Sequence, residues 1–450
     1  MQYHGILKLI CLFLIVGHCM QGSNPTAAAI FASSYPTDCF GEIISVQPTG
    51  RIQLKFPYNL LNSAYVNISQ VGSGTAVPAS TNFAEVATGA TAGSSAMVTS
   101  KYRLNYQPGQ GVANIFTAMF TTPGGVAGTT QFIGMANFTT NTTPTFANIS
   151  DGFGFGYSGT TFGIFKYTNT TQTFIPQTGV GGWNVDQMNG TGPSGMTLDT
   201  ADGNVYKIQY SWLGFGVINF FIYNPGPTGN PQNASFQLVH VIQYPNANTV
   251  TSLLNPSMQL MEAVSNGATT SNVSMQTPCM SGFIEGYVNT AIDERNSAYN
   301  TTAVTTPTGI SFVNCLSIQN LPTFNSITNQ VMVYPDMLML LNNGASGSDC
   351  IFTLYLNPTF TTSPAFPAIS TNSVVGTNTT AVYSNTTTPV GTALATFFIP
   401  ATFTSMYDFA YIDLSDLQLV LAPGDVLSIA ASSISSASSV YVSLSWVERF

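Results

Sequence analysis

Asp151-Gly-Phe-Gly-Phe-Gly-Tyr-Ser-Gly-Thr-Thr-Phe-Gly-Ile-Phe-Lys-Tyr167 alternates glycine with aromatic residues, turns, and resumes an apolar run. The pattern predicts a β-hairpin. Successive side chains of a strand point to opposite faces, so Phe153, Phe155 and Tyr157 share one face and Gly152, Gly154 and Gly156 the other. The glycine face is bare, open to close approach by another sheet or a ligand. Ser158-Gly159 supplies the turn, after which Phe162, Ile164 and Phe165 continue the apolar pattern. A phosphate-binding glycine loop needs a strand before it, a helix after it and an acid further on, and this run has none of them.

Working outward, residues 101–288 read as one block of short strands at sandwich spacing. They include Ala113–Thr121, Thr130–Met135, Val205–Trp212, Val217–Tyr223, Phe236–Tyr244 and Ser281–Glu285. The connections carry turn residues, as in Pro108-Gly-Gln-Gly111, Thr122-Pro-Gly-Gly125 and Asn224-Pro-Gly-Pro227. No stretch longer than about ten residues keeps a helical period, which argues against βαβ units. Before this block, residues 23–100 combine N-terminal strands with a Gly/Ser/Thr-rich linker, Ser73 to Thr99. After it, Asn289 to Thr308 holds the dense charge cluster Asp293-Glu-Arg295 and reads as a domain boundary. Strands resume in residues 309–450 around a Thr/Asn/Ser-rich tract, Thr361 to Thr392, expected to be a long loop. The expected fold is therefore all-β: an antiparallel β-sandwich, a jelly roll of lectin-like, concanavalin A-like type, followed by a second β-sandwich.

Only 6 % of the 450 residues are charged, against about 25 % in an ordinary soluble domain. Solubility must then come from hydroxyls, amides, attached sugar or burial in an assembly. The net charge of −9, with Lys55, Lys101, Lys166 and Lys207 dispersed, argues against nucleic acid. Residues 1–22 read as a signal peptide, with Lys8, the apolar run Leu9 to Gly17, and small residues near Gly22. That run is short of the ~20 residues of a membrane span, and no later stretch reaches that length.

Export fits two further signals. Four cysteines follow the signal, Cys39, Cys279, Cys315 and Cys350, enough for two disulfides; three pairings exist, with Cys315–Cys350 preferred because both lie in the last domain. Zinc is disfavoured by the absence of Cys-x-x-Cys and the scarcity of histidine. Glycosylation sequons begin at Asn67, Asn137, Asn141, Asn148, Asn169, Asn189, Asn233, Asn272, Asn300, Asn378 and Asn385.

Candidate chemistry is sparse. His240 is the one histidine beyond the signal and sits in a strand without a Gly-x-Ser-x-Gly elbow. Asp151, Asp186, Glu262 and Glu285 are the acids from which a glycosidase pair would come, but no supporting constellation surrounds them. Asp199-Thr-Ala-Asp202-Gly-Asn204 offers oxygen ligands for calcium, without the later bidentate acid of an EF-hand loop; an Asp-Gly turn explains it as well. Tyr157, Trp183 and Trp212, set beside glycines, are candidate stacking platforms for sugar rings, in competition with ordinary core packing.

Tyr102-Arg-Leu-Asn-Tyr-Gln-Pro-Gly-Gln-Gly111, Phe116-Thr-Ala-Met-Phe120, the hairpin, Gly192 to Asp199 and Val205 to Gly216 together resemble poorly characterised virion proteins of large double-stranded DNA viruses, including tail-fibre-like surface components. The closing segment, Leu421-Ala-Pro-Gly-Asp425 to Ser445-Trp-Val-Glu448, is similar to their terminal sandwich. The resemblance implies a non-enzymatic structural or surface protein, oligomeric or held by other virion proteins, with glycan or host-surface binding. Export and sequons point to a eukaryotic host, and place the protein in secretions or on a virion surface. The competing expectations are a carbohydrate-active enzyme on a lectin-like fold and a secreted adhesive or cell-wall protein.

Overall fold

The computed structural model describes residues 48–59, 61–62, 65–79, 82–140, 145–226, 234–286, 293–309, 311–343, 348–401 and 410–450. The signal segment, Cys39, Asn141 and Asn233 lie outside them. The fold is all-β. One sheet runs, edge to edge, Thr49–Lys55, Cys279–Glu285, Gly111–Ala118, Asn204–Tyr210, Ile218–Asn224 and Ser235–Ile242. A seven-stranded sheet faces it, in the order Thr171–Pro176, Thr161–Thr168, Ile149–Ser158, Thr130–Phe138, Gln259–Ser265, Ser95–Ser100 and Val66–Val71. Neighbouring strands pair antiparallel, and strands distant in sequence become neighbours, as sandwich crossovers require.

The quoted hairpin lies within the seven-stranded sheet. Ile149–Ser158 pairs with Thr161–Thr168 in a register that sets Phe155 opposite Ile164 and Tyr157 opposite Phe162. Ser158 pairs with Thr161, so the two turn residues are Gly159 and Thr160, one position later than expected; Gly159 takes φ +61°, which glycine adopts without strain. The aromatic face points inward. Phe155 meets Tyr206 of the opposing sheet at 4.9 Å between ring centroids, and Phe153 meets Phe220 at 6.3 Å. Each such pair adds about 0.5–1.5 kcal/mol beyond the area it buries, so this ring-rich interior specifies how the sheets seat as well as holding them.

The expected linker, Ser73 to Thr99, is instead largely strand. Ser95–Ser100 lies between Gln259–Ser265 and Val66–Val71, and Thr49–Lys55 forms an edge of the opposing sheet. Thr75–Ala79 and Phe83–Ala87 build a three-stranded sheet with Ser274–Thr277. Ser95–Ser100 is buried on both faces, with Ala96 and Val98 in the first core and Met97 in the layer over the glycine face. Beyond it, Leu104 forms a single bridge to Met258.

A second sandwich follows. One sheet orders Glu294–Tyr299, Ser439–Arg449, Met332–Asn342 and Ala410–Asp413, with Val304–Thr305 also on Ser439–Arg449. The other orders Val375–Asn378, Val313–Asn320, Val426–Ser433, Cys350–Leu356 and Thr392–Ile399. Leu316, Leu338, Phe352, Leu427, Leu444 and Trp446 fill the space between. The charged segment read as a boundary thus supplies strands to this sandwich, which begins before residue 309, and the tract 361–392 contains the strand Val375–Asn378. Glu448 anchors the tract: its Oε1 accepts bonds from Trp446 Nε1 at 2.9 Å, Asn296 Nδ2 at 3.0 Å and Ser373 Oγ at 2.5 Å, and its Oε2 accepts Val374 N–H at 2.9 Å.

The preferred Cys315–Cys350 disulfide is absent. Both thiols are free and buried in the second core, and Cys279 is free and exposed. Val426–Ser433 lies between the strands of Cys315 and Cys350, and Cys350 pairs with Ser433 while Leu316 pairs with Ile429, so the two are at least two strand spacings, about 9.6 Å, apart, whereas a bridge needs Cα atoms within about 7 Å. Burial pushes both thiols up, so they behave as small apolar groups. Among the described residues, no helix is long and apolar enough to cross a membrane.

Candidate functional site

The glycine face of the hairpin is carpeted by the protein's own aromatic residues. Phe132 and Phe165, 5.7 Å apart, lie over it with Tyr167, Met261 and Ala263, and Phe146 and Phe174 pack against them. A Cβ placed on Gly154 would sit 2.5 Å from the Phe132 ring. The close approach expected of a second sheet or ligand is therefore made by side chains from neighbouring strands.

Two of the three sugar-platform candidates belong to the core. Trp183 is 3 % exposed, with its ring edge-on to Phe155 and Phe162 at 6.0 and 6.1 Å. Tyr157 is 6 % exposed; its hydroxyl accepts Gly124 N–H at 3.0 Å and lies 2.7 Å from Thr200 Oγ1. Trp212 is half-buried, edge-on to Tyr106 at 5.8 Å and packed against the first core. Sugar stacking needs a free ring face, and a sandwich this rich in aromatics uses its rings inside.

The acids are spent on structure. Asp186 accepts Met188 N–H and Ser194 N–H, both at 2.8 Å, and so shapes the loop that follows it. Asp151 accepts Leu254 N–H at 3.0 Å and Asn169 N–H at 3.3 Å; burial raises its pKa, opposed by those bonds. Glu285 accepts Gln209 Nε2 at 2.7 Å. His240 is pushed down to about 4 by burial, and its Nδ1 accepts Asn184 N–H at 3.2 Å, which places the proton of the neutral ring on Nε2.

Glu262 differs. It faces the interior between Ile133 and Val98, is fully buried, and neither carboxyl oxygen has a hydrogen-bond partner. Burial first, and Glu85 second, raise its pKa well above 4.5. The group stays protonated in the folded chain and ionises in the unfolded one, so stability is lost as pH rises past 4.5 toward the raised folded value. Glu262→Gln removes that titration. The variant is expected to gain about 1–3 kcal/mol over wild type at about pH 7.5 and much less at about pH 4. Urea unfolding at the two pH values checks this, and an equal effect at both would refute it.

The calcium ligands do not converge. Asp199 Oδ1 accepts Ala201 N–H at 2.9 Å, and Asn204 Nδ2 donates to the carbonyls of Asp199 and Asp202 at 2.6 and 3.0 Å. The amide of Asn204 thus turns its nitrogen toward the oxygens a cation would need, and the segment is a self-bonded turn. Among the described residues, no group of three or more His, Cys, Asp or Glu side chains is placed to hold a metal ion.

Two sequons are buried and out of reach of an enzyme acting on the folded chain. Asn137 is paired with Arg103 and donates to Asn255 O, and Asn300 donates to the carbonyls of Thr302 and Val440. Asn169, Asn189, Asn272 and Asn385 are exposed, and Asn67, Asn148 and Asn378 half-exposed.

Charge gathers where the two sandwiches meet. A cavity of about 330 Å³ is lined by Arg51 of the first and by Asp293, Arg295, Tyr334, Asp336 and Arg449 of the second, with Ser415, Gln418 and Val420 also in its wall. It holds three of the chain's four arginines. Arg51 lies at a β-bulge between Gly50 and Ile52 and faces outward, as strand alternation requires when Ile52 and Leu54 enter the core. Arg449 Nε lies 2.9 Å from Asp293 Oδ2, and its guanidinium sits 4.1 Å from the Tyr334 ring centroid. Arg295 Nη1 lies 2.6 Å from Asp336 Oδ2. Among the described residues, Arg51 has no ion-pair partner. The walls are held together by Lys101 Nζ to Asp425 Oδ2 at 3.1 Å, largely buried, and by Asn105 Nδ2 donating to Arg449 O at 3.3 Å.

Of these residues, only Asp293 and Arg295 stood out in the sequence, as a charge cluster. Arg51, Tyr334 and Arg449 carry no local signal; what could have drawn attention to them is the rarity of cations in this chain.

No family model and no curated protein matches the chain. Among solved structures, it is similar to lectin II from Ulex europaeus, at 9 % identity over 52 % of this chain and 99 % of that one, TM-score 0.32. It is also similar to the Emp47p carbohydrate recognition domain, at 9 % identity over 53 % and 97 %, TM-score 0.33. A third is the endo-β-1,4-glucuronan lyase of the fungus Trichoderma reesei, at 11 % identity over 52 % and 95 %, TM-score 0.31.

Proposed function

We propose that this chain is a non-catalytic surface protein, secreted or carried on a virion, that binds glycans in the cavity between its two β-sandwiches. The observation that carries the reading is the concentration of charged and hydrogen-bonding side chains in that cavity, in a chain with so few charges elsewhere. Small-molecule sites are concave, with a few placed polar groups, and this cavity has that character. Glycoside hydrolysis needs two carboxyls about 5–9.5 Å apart and open to substrate; Asp151, Asp186 and Glu262 are buried, and the first two are bonded to backbone amides.

A glycan array probed with the purified chain, followed by calorimetric titration of the hits, tests the proposal. Saturable binding is expected, with loss in Ser415→Trp, which fills the cavity from its wall. Absence of binding to any saccharide at about 10 mM would end the reading. Release of a cleaved product would end its non-catalytic part.

A further inference from the structure

We infer that the ligand of this cavity is an acidic saccharide, gripped by its anionic group on Arg51; the inference rests on the glycan-binding reading and narrows it. Arg295 and Arg449 are each matched by a carboxylate, Asp336 and Asp293, at 2.6 and 2.9 Å. Those two pairs neutralise one another and hold the wall in place. Among the described residues, Arg51 is left as the cavity's uncompensated charge, an exposed guanidinium lining the cavity from the opposite sandwich. The local balance is three cations to two anions, opposite in sign to the net −9 of the whole chain.

A cation held apart from its neighbours' partners is suited to a partner that arrives from outside. The planar guanidinium donates in a fork that matches the two oxygens of a carboxylate or sulfate. Asp293 and Asp336 repel an anion that strays toward the second sandwich, and so direct the charged end of the ligand to Arg51. Tyr334, one ring face of which is covered by the Arg449 guanidinium at 4.1 Å, adds its phenol to the same wall.

The test compares sialyllactose and sulfated lactose with neutral lactose, by calorimetry on the full chain and on Arg51→Gln and Arg51→Lys. At least one charged sugar is expected to bind about tenfold or more tighter than lactose, to weaken by about tenfold in Arg51→Gln, and to be partly recovered in Arg51→Lys. Raising salt from about 50 mM to about 500 mM should weaken the charged ligand and leave lactose unchanged. Preference for sialyllactose assigns a carboxylate, and preference for sulfated lactose a sulfate. Equal binding of lactose and both charged sugars, or charged-sugar binding untouched in an Arg51→Gln protein with a wild-type melting curve, overturns the inference while leaving glycan binding standing. Failure of all three sugars, with array hits confined to other neutral glycans, overturns it too; failure of every glycan removes the parent reading with it.

Discussion

Gly154→Val should destabilise the first sandwich by about 3 kcal/mol or more, enough to lower the yield of folded protein. Gly154 sits mid-strand, where a Cβ would stand 2.5 Å from the Phe132 ring and 2.7 Å from Ile133 O. A clash with a ring tip can be relieved by rotation, but one with a backbone oxygen requires the paired strands to part. Phe132 has little room to rotate, since Phe146, Phe165 and Tyr167 surround it. Chemical denaturation of the purified variant measures the cost. A loss under about 0.5 kcal/mol would mean the aromatic layer is loosely laid and the face is accessible after all. Phe132→Ala in the Gly154→Val background should recover part of the loss, because it removes the ring that the new methyls meet.

Trp183→Ala should cost about 3–5 kcal/mol, the range for emptying a large aromatic site in a packed interior. Its ring closes the space between Phe155 and Phe162, and no polar contact offsets the cavity, because the indole N–H has no hydrogen-bond partner. Trp183→Phe should therefore be milder: it keeps a ring in place and removes a buried, unsatisfied donor. The pair separates a core role from a sugar platform. If Trp183→Ala kept wild-type stability yet lost glycan binding, the platform reading would return. If both variants follow the order given, binding lost in Trp183→Ala reflects unfolding.

The hairpin and the core can be compared for how far the sequence reaches. Alternation in Gly152 to Tyr157 is a local property, and two residues apart on a strand is the same face in any sheet, so the shared face of the rings follows from the text alone, and only the packing shows that it points inward. What fills the opposite face does not, because Phe132 and Met261 come from strands whose pairing no local pattern specifies. Small-residue strands such as Ser95–Ser100 were misread for a related reason. In Ser95–Ser100 only Ala96, Met97 and Val98 are apolar, too short a pattern to be read as a strand before its neighbours on both edges are known. Cys315 and Cys350 share a core, yet an intervening strand keeps them apart, which shared domain membership could not reveal.

By itself, the sequence determined the all-β class, the hairpin with its aromatic residues on one face, and the dearth of ionisable groups, since each depends on composition or on spacing within a few residues. Only the tertiary structure decided that the glycine face is occupied, that Asp151 and Asp186 are held by backbone amides, Glu262 is sealed in the core and Glu285 is bonded to Gln209, and that Arg51 meets Asp293, Tyr334 and Arg449 around one cavity. The physical reason is that a strand's facing is set by its own alternation, whereas its neighbours are set by the free energy of the whole assembled sandwich.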